Sequence, residues 1–289
     1  MTALRVVTLN IWGNHSSRAS QAPWALRRRL IREELARQKP DVVALQEVLR
    51  AQGPGTSQAD ELAEGTPYRV CFGKACEIDK PFPSEFGNAA LTRWPVREQR
   101  VLKLPTPEGL ETRSALYLLL SVKVGLLPVV ITHLTWEPEL FGTRVAQLGA
   151  IRELLMTELV ALPGRVPAHV PILPPLVLGD LNAPPDSPEL AVLLRPADGG
   201  LTFTDSFGQA GEGPGATFSS RNPYCPLRDP VIDQRIDYIL LGQAGAQERL
   251  TLTSSRLCFA EGHEGAFASD HFGVLTELAL STEPGPTIQ

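Results

Sequence analysis

The chain has 289 residues and carries 27 Lys and Arg against 32 Asp and Glu, which gives a formal net charge of −5 at pH 7. With 43% hydrophobic and 20% charged residues, its composition is that of a globular protein, and wholesale disorder, collagen and coiled coil are excluded. The negative net charge argues against a protein that binds long duplex nucleic acid through its overall charge, although it does not exclude a local basic groove.

Short β-branched runs alternate with helical stretches in the first half of the chain. The segment Trp24–Gln38 is typical of an amphipathic helix, with Leu26, Leu30, Ile31 and Leu35 on one face. Prolines between Cys76 and Phe86 predict an exposed loop there. The other elements predicted in this half are a strand at Leu4–Leu9, a strand at Asp41–Leu45, a short helix around Ala59–Glu64, and strands at Tyr68–Phe72, Asn88–Thr92 and Val96–Leu102.

The second half continues the alternation of strands and helices. The stretch Pro196–Pro230 is rich in Gly, Pro and Ser, and its length predicts a functional surface loop. Apolar strands interleaved with helices predict sheets covered by helices, in one α/β (α+β) domain. The elements predicted here are strands at Ser114–Lys123 and Pro128–His133, a helix at Thr143–Leu159, a proline-rich connector at Pro163–Pro175, and strands at Leu176–Leu178, Arg235–Leu240 and Gly273–Leu280.

Cysteine spacing and the N-terminus predict the compartment. The four cysteines contain no Cys-x-x-Cys pair, so neither a structural zinc site nor a disulfide framework is indicated. The N-terminus as numbered enters a strand-like run without the pattern of a secretion signal. Lys123, Gly125 and Pro128 interrupt the most apolar stretch, which argues against a membrane span. These features predict a soluble, cytoplasmic protein.

Polar residues recur where apolar strands end, and one acid lies inside a strand. Any single Asp or Asn after a strand is more often a turn or a helix cap than a ligand. Burying many ionisable groups, however, costs several kcal/mol each unless they pair or bind a cation. Their joint occurrence therefore predicts one shared, charge-balanced site. The segments are Thr8-Leu9-Asn10, Leu45-Gln46-Glu47, Thr132-His133-Leu134, Leu178-Gly179-Asp180-Leu181-Asn182, Arg235-Ile236-Asp237-Tyr238 and Ser269-Asp270-His271.

The order of these segments resembles the endonuclease/exonuclease/phosphatase superfamily of metal-dependent phosphoesterases, which includes pancreatic-type deoxyribonucleases, abasic-site endonucleases, inositol polyphosphate phosphatases and neutral sphingomyelinases. The resemblance runs from Leu4 to about Val274, and the segment Gly87–Val96 is similar to the family's central strand. It implies a deoxyribonuclease-I-like fold, a four-layer sandwich of two packed mixed β-sheets flanked by helices. A single domain would cover residues 1–281, and residues 282–289 would form a frayed tail.

The resemblance also implies a metal site. Glu47 would be the principal ligand of a Mg²⁺ or Mn²⁺ ion, with Asn10 and Asp270 as nearby direct or water-bridged ligands. Oxygen donors without a cluster of Cys or His favour a hard divalent cation on chemical grounds as well. Abasic-site endonucleases carry an Asp two positions after the first-strand Asn, where this sequence has Trp12. A second metal position resting on that Asp is therefore not implied.

Catalytic roles follow from the same resemblance. Asp180 and Asn182 match the pair that positions or deprotonates the attacking water, and His271 backed by Asp237 matches an orienting dyad. Either Asp180 or the His271–Asp237 pair qualifies as the general base. His133 matches the imidazole that donates to a phosphate oxygen. The phosphate-binding residues would be Arg113, His133 and Asn182.

The sequence specifies the substrate class less closely than it specifies the catalytic residues. Thr217–Tyr224 and Thr143–Gln147 resemble the neutral sphingomyelinase side of the superfamily, which with the acidic charge favours a small-molecule or lipid-like phosphodiester over long duplex DNA. A DNA or RNA nuclease is the first alternative, and a catalytically silent binding module on the same fold is the second. No obligate protein partner is indicated. Trp12, Trp136 and Asn222 are possible substrate contacts, although packing beneath a loop is the favoured interpretation of both Trp residues.

A basic run on the first predicted helix has two interpretations. Arg27, Arg28, Arg29 and Arg32 could bind phosphate backbones. The favoured alternative is a solvated helix face whose arginines pair with neighbouring glutamates.

Overall fold

The computed structural model describes residues 2–13, 22–52, 55–79, 82–196, 200–225, 233–243, 249–263 and 265–281. Within these ranges the chain forms twelve strands and five α-helices. The strands are β1 (Thr2–Asn10), β2 (Val42–Ala51), β3 (Arg69–Ile78), β4 (Ser84–Thr92), β5 (Val96–Lys103), β6 (Ser114–Val122), β7 (Gly125–His133), β8 (Leu176–Asp180), β9 (Thr202–Asp205), β10 (Asp237–Gln243), β11 (Leu250–Cys258) and β12 (Gly273–Leu280). The helices are α1 (Trp24–Gln38), α2 (Gln58–Ala63), α3 (Phe141–Ala161), α4 (Pro188–Leu194) and α5 (Ser206–Ala210).

The strands divide into two mixed sheets of six strands each. The first sheet has the order β11-β12-β1-β2-β4-β3, and the second has the order β5-β6-β7-β8-β10-β9. Each sheet has one parallel pair at its centre, β1 with β2 and β7 with β8, and the other neighbours are antiparallel. Because the carboxyl ends of parallel strands meet at one edge of a sheet, each central pair presents its last residues together.

Three apolar layers hold the sheets and helices together. Alternate residues of β6 face opposite sides, so Leu116 and Leu118 pack between the sheets while Tyr117 and Leu119 pack toward the layer that contains α3. A third cluster joins the outer face of the first sheet to α1 and α2. This arrangement confirms the predicted sandwich of two packed sheets flanked by helices. Among the helices formed by described residues, none combines the length and apolar character that a membrane crossing requires.

Most predicted elements are present, and the predicted loop at Cys76–Phe86 is largely wrong. Strand β3 continues to Ile78 and β4 begins at Ser84, with Glu77 paired to Glu85 in the ladder. Pro83 lies in the connection between the two strands, where it interrupts no ladder hydrogen bond. Residues 80 and 81 lie outside the described ranges.

The predicted long loop Pro196–Pro230 contains regular structure. Strand β9 and helix α5 lie inside it, and residues 197–199 and 226–230 are outside the described ranges. Helix α4 and strand β11 were not predicted. The signal for α4 was present, because Ser187 caps it and Pro188 occupies its first turn. The predicted frayed tail after Ser281 lies outside the described residues.

Candidate active site

Three polar residues stand side by side where β7, β8 and β10 meet. Asp180 on β8 is paired in register with His133 on β7 and with Asp237 on β10. All three are buried, and His133 Nε2 lies 3.5 Å from Asp180 Oδ2. The parallel register of β7 and β8 thus brings together an imidazole and a carboxylate that are distant in sequence.

The first sheet contributes an amide and a carboxylate to the same place. Asn10, the last residue of β1, donates from Nδ2 to Glu47 Oε1 at 3.1 Å and to Asp180 Oδ2 at 3.0 Å. The Glu47 backbone has a φ of 60°, and the β2–β4 register shifts between Leu45 and Val48. A β-bulge re-aims the side chain it carries, which explains how Glu47 turns toward Asn10. One amide therefore links carboxylates from both sheets.

The ends of β1 and β8 share one local conformation. Asn10 Oδ1 accepts the backbone N–H of Trp12, and Asp180 Oδ1 accepts that of Asn182, each at 2.9 Å. Trp12 and Asn182 both adopt a left-handed backbone, with φ of 50° and 49°. Such turns place the chain in a sparsely populated conformation, and strained backbones of this kind cluster at functional sites.

His271 and Asp237 form the predicted dyad. His271 Nδ1 lies 2.9 Å from Asp237 Oδ2, and both residues are buried. Burial alone lowers the pKa of the His271 imidazole, but the charge of Asp237 and the hydrogen bond to it, with Asp180 and Asp270, raise that pKa to about 10. The imidazolium form is therefore stabilised at neutral pH, with Nδ1 donating to Asp237.

Thr217, for which the sequence predicted no role, binds the backbone next to both members of the dyad. Its side-chain oxygen accepts the backbone N–H groups of Ile236 and Asp237, at 3.1 and 3.2 Å. Its backbone carbonyl accepts the N–H of Phe272 at 2.7 Å. The neighbouring Phe218 ring lies 4.9 Å from the His271 ring. Thr217 thus connects the start of β10, which carries the acid, to the segment before β12, which carries the imidazole.

Asp180 is the most central carboxylate of the cluster. Besides its contacts with Asn10 and His133, its Oδ2 lies 3.9 Å from His271 Nε2. Burial and the nearby charge of Asp237 raise the pKa of Asp180 to about 7, although His271, Asn10 and the Asn182 backbone act in the opposite direction. A carboxyl with a pKa near neutrality can exchange a proton under physiological conditions.

Arg113 fixes the tautomer of His133. The two side chains meet at 3.1 Å between Arg113 Nη1 and His133 Nδ1. A guanidinium only donates, so His133 Nδ1 accepts and the imidazole proton lies on Nε2. Arg113 also pairs with Glu111 at 3.0 Å. Asn182 directs one amide N–H to the Leu134 carbonyl at 3.1 Å. The three predicted phosphate-binding residues therefore lie around the same strand ends.

Asp270 reaches the site through the loop before β12. Ser269 Oγ donates to the Asn10 carbonyl at 2.6 Å and lies 3.3 Å from Asp270 Oδ1. Asp270 and Glu47 also act together on Arg27, whose side chain is fully buried. Burial lowers the pKa of Arg27 to about 10, and the charges of Asp270 and Glu47 oppose that shift. The predicted metal ligands thus share a neighbourhood with one buried cation.

The donor set suits a hard divalent cation. Asp180, Asp237 and His271 each offer a ligand atom within 4.8 Å of the others. Asp237 Oδ1 is buried and has no hydrogen-bond partner among the described residues, as expected of an oxygen reserved for an ion or a water. The predicted ligands Asn10, Glu47 and Asp270 form a second set of oxygen donors beside this group. The cluster holds the buried Asp180, Asp237 and Asp270 and the half-buried Glu47. A divalent ion would add to the compensating positive charge of Arg27 and His271 there.

The three predicted substrate contacts differ in exposure. Trp136 is 49% exposed, whereas Trp12 is 3% exposed and packs against Tyr224 and the Arg27 guanidinium. Asn222 is buried, and it donates to the Ser269 carbonyl and accepts the N–H of Tyr224. Trp12 therefore matches the packing interpretation and Asn222 supports a loop, which leaves Trp136 as the one of the three with open surface.

The basic run on α1 is used inside the protein. Arg28 pairs with Glu61 on α2 at 2.6 Å, Arg29 pairs with Glu33 at 3.4 Å, and Arg32 donates to carbonyls at the end of α2. Arg27 takes the buried position expected for Leu26 and donates to the Ala22 and Ile11 carbonyls. The interpretation as a phosphate-binding surface is therefore not favoured.

Comparison with known proteins places the chain in a family. The model of the Endonuclease/Exonuclease/phosphatase family matches residues 7–271. An endonuclease/exonuclease/phosphatase from Beutenbergia cavernae is 29% identical, with a TM-score of 0.68, over 97% of this chain and 72% of that chain. No curated protein matches the chain significantly.

Two further solved structures share the fold at lower identity. TDP2 from D. rerio, complexed with a single-strand DNA product, is 19% identical with a TM-score of 0.71, over 96% of this chain and 99% of that chain. A family protein from Bacteroides thetaiotaomicron is 17% identical with a TM-score of 0.71, over 97% of this chain and 98% of that chain. The family match spans nearly all of the described fold and every segment of the site, so the chain belongs to the endonuclease/exonuclease/phosphatase family.

Proposed function

We propose that the protein is a divalent-metal-dependent phosphoesterase that hydrolyses a phosphodiester by attack of an activated water. The observation that carries this proposal is the hydrogen-bonded cluster at the sheet edge, in which Asn10 joins Glu47 to Asp180, and Asp180 in turn lies beside His133 and His271. Each residue type that metal-assisted phosphoryl hydrolysis needs is present in that cluster: oxygen ligands, a base and cationic donors.

The metal would be Mg²⁺ or Mn²⁺, with Asn10, Glu47 and Asp270 as its ligands. When bound, the ion would polarise the phosphoryl group as a Lewis acid. The charges of Glu47 and Asp270 both raise the pKa of the buried Arg27, so these two carboxylates belong to one acidic part of the site. The Asp180, Asp237 and His271 group is the competing ligand set. His271 donates its Nδ1 proton to Asp237 there, which suits a dyad better than a metal ligand.

Asp180 is the better general base of the two alternatives. Its pKa is raised to about 7, whereas Asp237 keeps the pKa of His271 near 10. A base must be deprotonated at the working pH, so the protonated His271 is better suited to donate to a phosphoryl oxygen. Asn182 shares the Asp180 turn and would orient the attacking water.

The remaining donors would bind the phosphate. His133 carries its proton on Nε2, the nitrogen that faces Asp180, and Arg113 holds that tautomer from the other side. Preorganised donors of this kind stabilise the charge that develops on the equatorial oxygens. Arg113 therefore contributes both its own positive charge and the orientation of His133.

The surface near the site favours a small-molecule or lipid-like phosphodiester. Trp136 follows His133 by three residues and offers an exposed indole, and the acidic Glu137 and Glu139 come directly after it in the sequence. Acidic residues at the rim would repel a long polyanion. Of the α1 arginines that could have contacted a nucleic-acid backbone, Arg28 and Arg32 are engaged with α2 and Arg27 is buried. Arg29 pairs with Glu33 on the same helix.

A nuclease is the second candidate function. The observation that favours it is the shared fold with D. rerio TDP2, which was solved with a single-strand DNA product. A local groove could bind a short single strand despite the net charge of −5. A catalytically silent binding module is the third alternative, and the completeness of the motifs argues against it.

One screen tests all three functions. The wild-type protein, with Asp180→Asn as the control, is assayed with Mg²⁺, Mn²⁺ or EDTA on bis-p-nitrophenyl phosphate, p-nitrophenyl phosphate, p-nitrophenyl phosphorylcholine and single- and double-stranded oligonucleotides. We expect metal-restored, EDTA-sensitive turnover of the small diesters that Asp180→Asn lacks. Full activity in EDTA would end the metal-dependent account. Rapid plasmid nicking, with steep salt dependence and negligible ester turnover, would select the nuclease.

A further inference from the structure

A buried ion pair joins the two helices that follow the phosphate-binding strands. Arg144 on α3 and Glu189 on α4 are 4% and 3% exposed, and Arg144 Nε and Nη2 lie 3.0 and 2.9 Å from Glu189 Oε1. A buried ion pair loses much of its Coulombic gain to desolvation, so fold stability alone is a weak reason for its presence. Its other contacts identify what it holds.

Arg144 also holds the segment that follows His133. Its Nη1 donates to the Thr135 and Glu137 carbonyls at 3.1 and 2.7 Å, and its Nη2 donates to the Pro138 carbonyl at 3.1 Å. A planar guanidinium can bind several carbonyls and a carboxylate at once, which a lysine cannot. The chain direction immediately beyond His133 is therefore fixed by one side chain.

Gln147, one turn further along α3, connects this segment to the loop that carries Arg113. It is fully buried, accepts the Thr135 N–H at 3.1 Å and donates to Thr135 Oγ1 at 2.8 Å. Its second amide hydrogen goes to the Pro105 carbonyl at 2.9 Å. Next to Pro105, the Leu104 N–H binds the Arg113 carbonyl at 2.9 Å. The loops that present His133 and Arg113 are thus joined through Gln147.

The third phosphate-binding residue is connected to the same assembly. Asn182 donates to the Leu134 carbonyl at 3.1 Å, in the segment between His133 and Thr135. Glu189 begins the helix that follows Asn182 along the chain and holds Arg144 from the other side. Three loops that carry the phosphate donors therefore converge on one buried polar network.

We infer that the Arg144–Gln147–Glu189 network positions His133, Arg113 and Asn182 as one rigid phosphate-binding unit. The inference rests on the proposed phosphoesterase function for its catalytic meaning. None of the three network residues touches the reacting atoms, so they are positioning residues. The network lies on α3 and α4, which pack against the second sheet, whereas Asn10 and Glu47 lie on the first, so its loss should leave metal affinity unchanged.

The test uses substitutions that keep side-chain size. Glu189→Gln removes the charge that holds Arg144, and Gln147→Glu keeps the acceptor for the Thr135 N–H while removing both donors. The control is Glu158→Gln, which removes the charge of a buried carboxylate of α3 from its ion pairs with the more exposed Arg100 and Arg165. Glu158 lies 14 positions after Arg144, about 21 Å along the helix.

Two readouts separate positioning from a merely structural role. The first is the His133 imidazole Cε1–H signal in ¹H–¹³C NMR spectra, assigned with His133→Gln. The second is kcat/KM on bis-p-nitrophenyl phosphate, measured with Mg²⁺ affinity by calorimetry. We expect Glu189→Gln and Gln147→Glu to shift the His133 signal and to lower kcat/KM at least about tenfold at unchanged Mg²⁺ affinity. Glu158→Gln should do neither, whatever its effect on thermal stability.

An unshifted His133 signal in folded Glu189→Gln and Gln147→Glu proteins would overturn the inference. A shift of equal size in Glu158→Gln would also overturn it, since the effect would then follow from any weakened ion pair of α3. If the signal shifts as expected but the wild-type protein hydrolyses no ester, the positioning network stands and the proposed function fails.

Discussion

Replacing Asp237 by Asn should release the proton that His271 holds. Asp237 is fully buried, and its Oδ2 accepts from His271 Nδ1 at 2.9 Å. Burial is the largest influence on the pKa of His271 and acts to lower it, while the charge of Asp237 is the largest influence that raises it. Without that charge, only the smaller contributions of Asp180 and Asp270 oppose burial, so the pKa of His271 should fall well below its wild-type value of about 10.

The same change predicts a difference in stability with pH. The folded-state pKa of His271 lies above the unfolded value of 6.5, so the folded protein holds this proton more tightly. The resulting stabilisation is fully present below pH 6.5 and is lost as the pH rises through about 10. One pKa unit corresponds to about 1.4 kcal/mol, so the effect amounts to several kcal/mol in metal-free protein. Asp237→Asn should flatten this dependence.

Two measurements test the prediction. NMR titration of the His271 imidazole from pH 5 to 10 should show wild-type His271 still protonated at pH 8 and the Asp237→Asn variant largely neutral there. Urea denaturation at pH 7.5 and 9.5 should show a steeper loss of stability in the wild type. Asp237→Asn should also lower the pKa of Asp180, which is about 7 in the wild type, so both denaturation measurements are made above that value. A wild-type His271 that titrates near 6.5, or parallel stability curves, would refute the reasoning.

Three further substitutions probe metal binding, backbone geometry and specificity. Glu47→Ala should weaken Mg²⁺ binding at least about tenfold by calorimetry and lower turnover about a hundredfold, and unchanged Mg²⁺ affinity would assign the ion to the other ligand set. Gly179→Ala should destabilise the protein by at least about 2 kcal/mol in urea, because the new Cβ would lie 1.9 Å from the Thr132 carbonyl oxygen at a φ of 145°. Its control, Gly149→Ala in open space on α3, should stabilise by about 0.5–1 kcal/mol, and equal effects of the two would contradict the steric argument. Trp136→Ala should raise KM several-fold for substrates with an apolar or aromatic leaving group, and an unchanged KM would remove the indole from the substrate site.

The site was more predictable than its supporting structure. Asn10, His133 and Asp180 are the last residues of apolar strands. Such residues converge at the strand ends of mixed sheets, so the sequence alone was enough to predict that they lie together. The orientation of the Glu47 side chain toward the site could not be predicted from the sequence, because it depends on a bulge in the pairing of β2 with β4. The burial of Arg27 was missed because helical periodicity predicted Leu26 for that face.

Two elements escaped prediction for different reasons. Strand β11 alternates polar and apolar residues weakly, and it is an edge strand whose exposed positions carry Thr and Arg. The stretch from residue 196 onward was predicted as a loop from its composition. Composition does not show that β9 forms by pairing with the distant β10, or that Asp205 caps the short helix α5. The Arg144–Gln147–Glu189 network likewise depends on helix packing that the sequence motif alone does not specify.

The Asn10 amide lies astride the boundary between the two sheets, where it joins an acid from each. Neither sheet carries a complete set of the site residues, so a partly denatured species with one sheet detached would be inactive. Turnover should therefore vanish at denaturant concentrations no higher than those that separate the sheets. In this protein, enzymatic activity would therefore report whether the two sheets are correctly packed against each other.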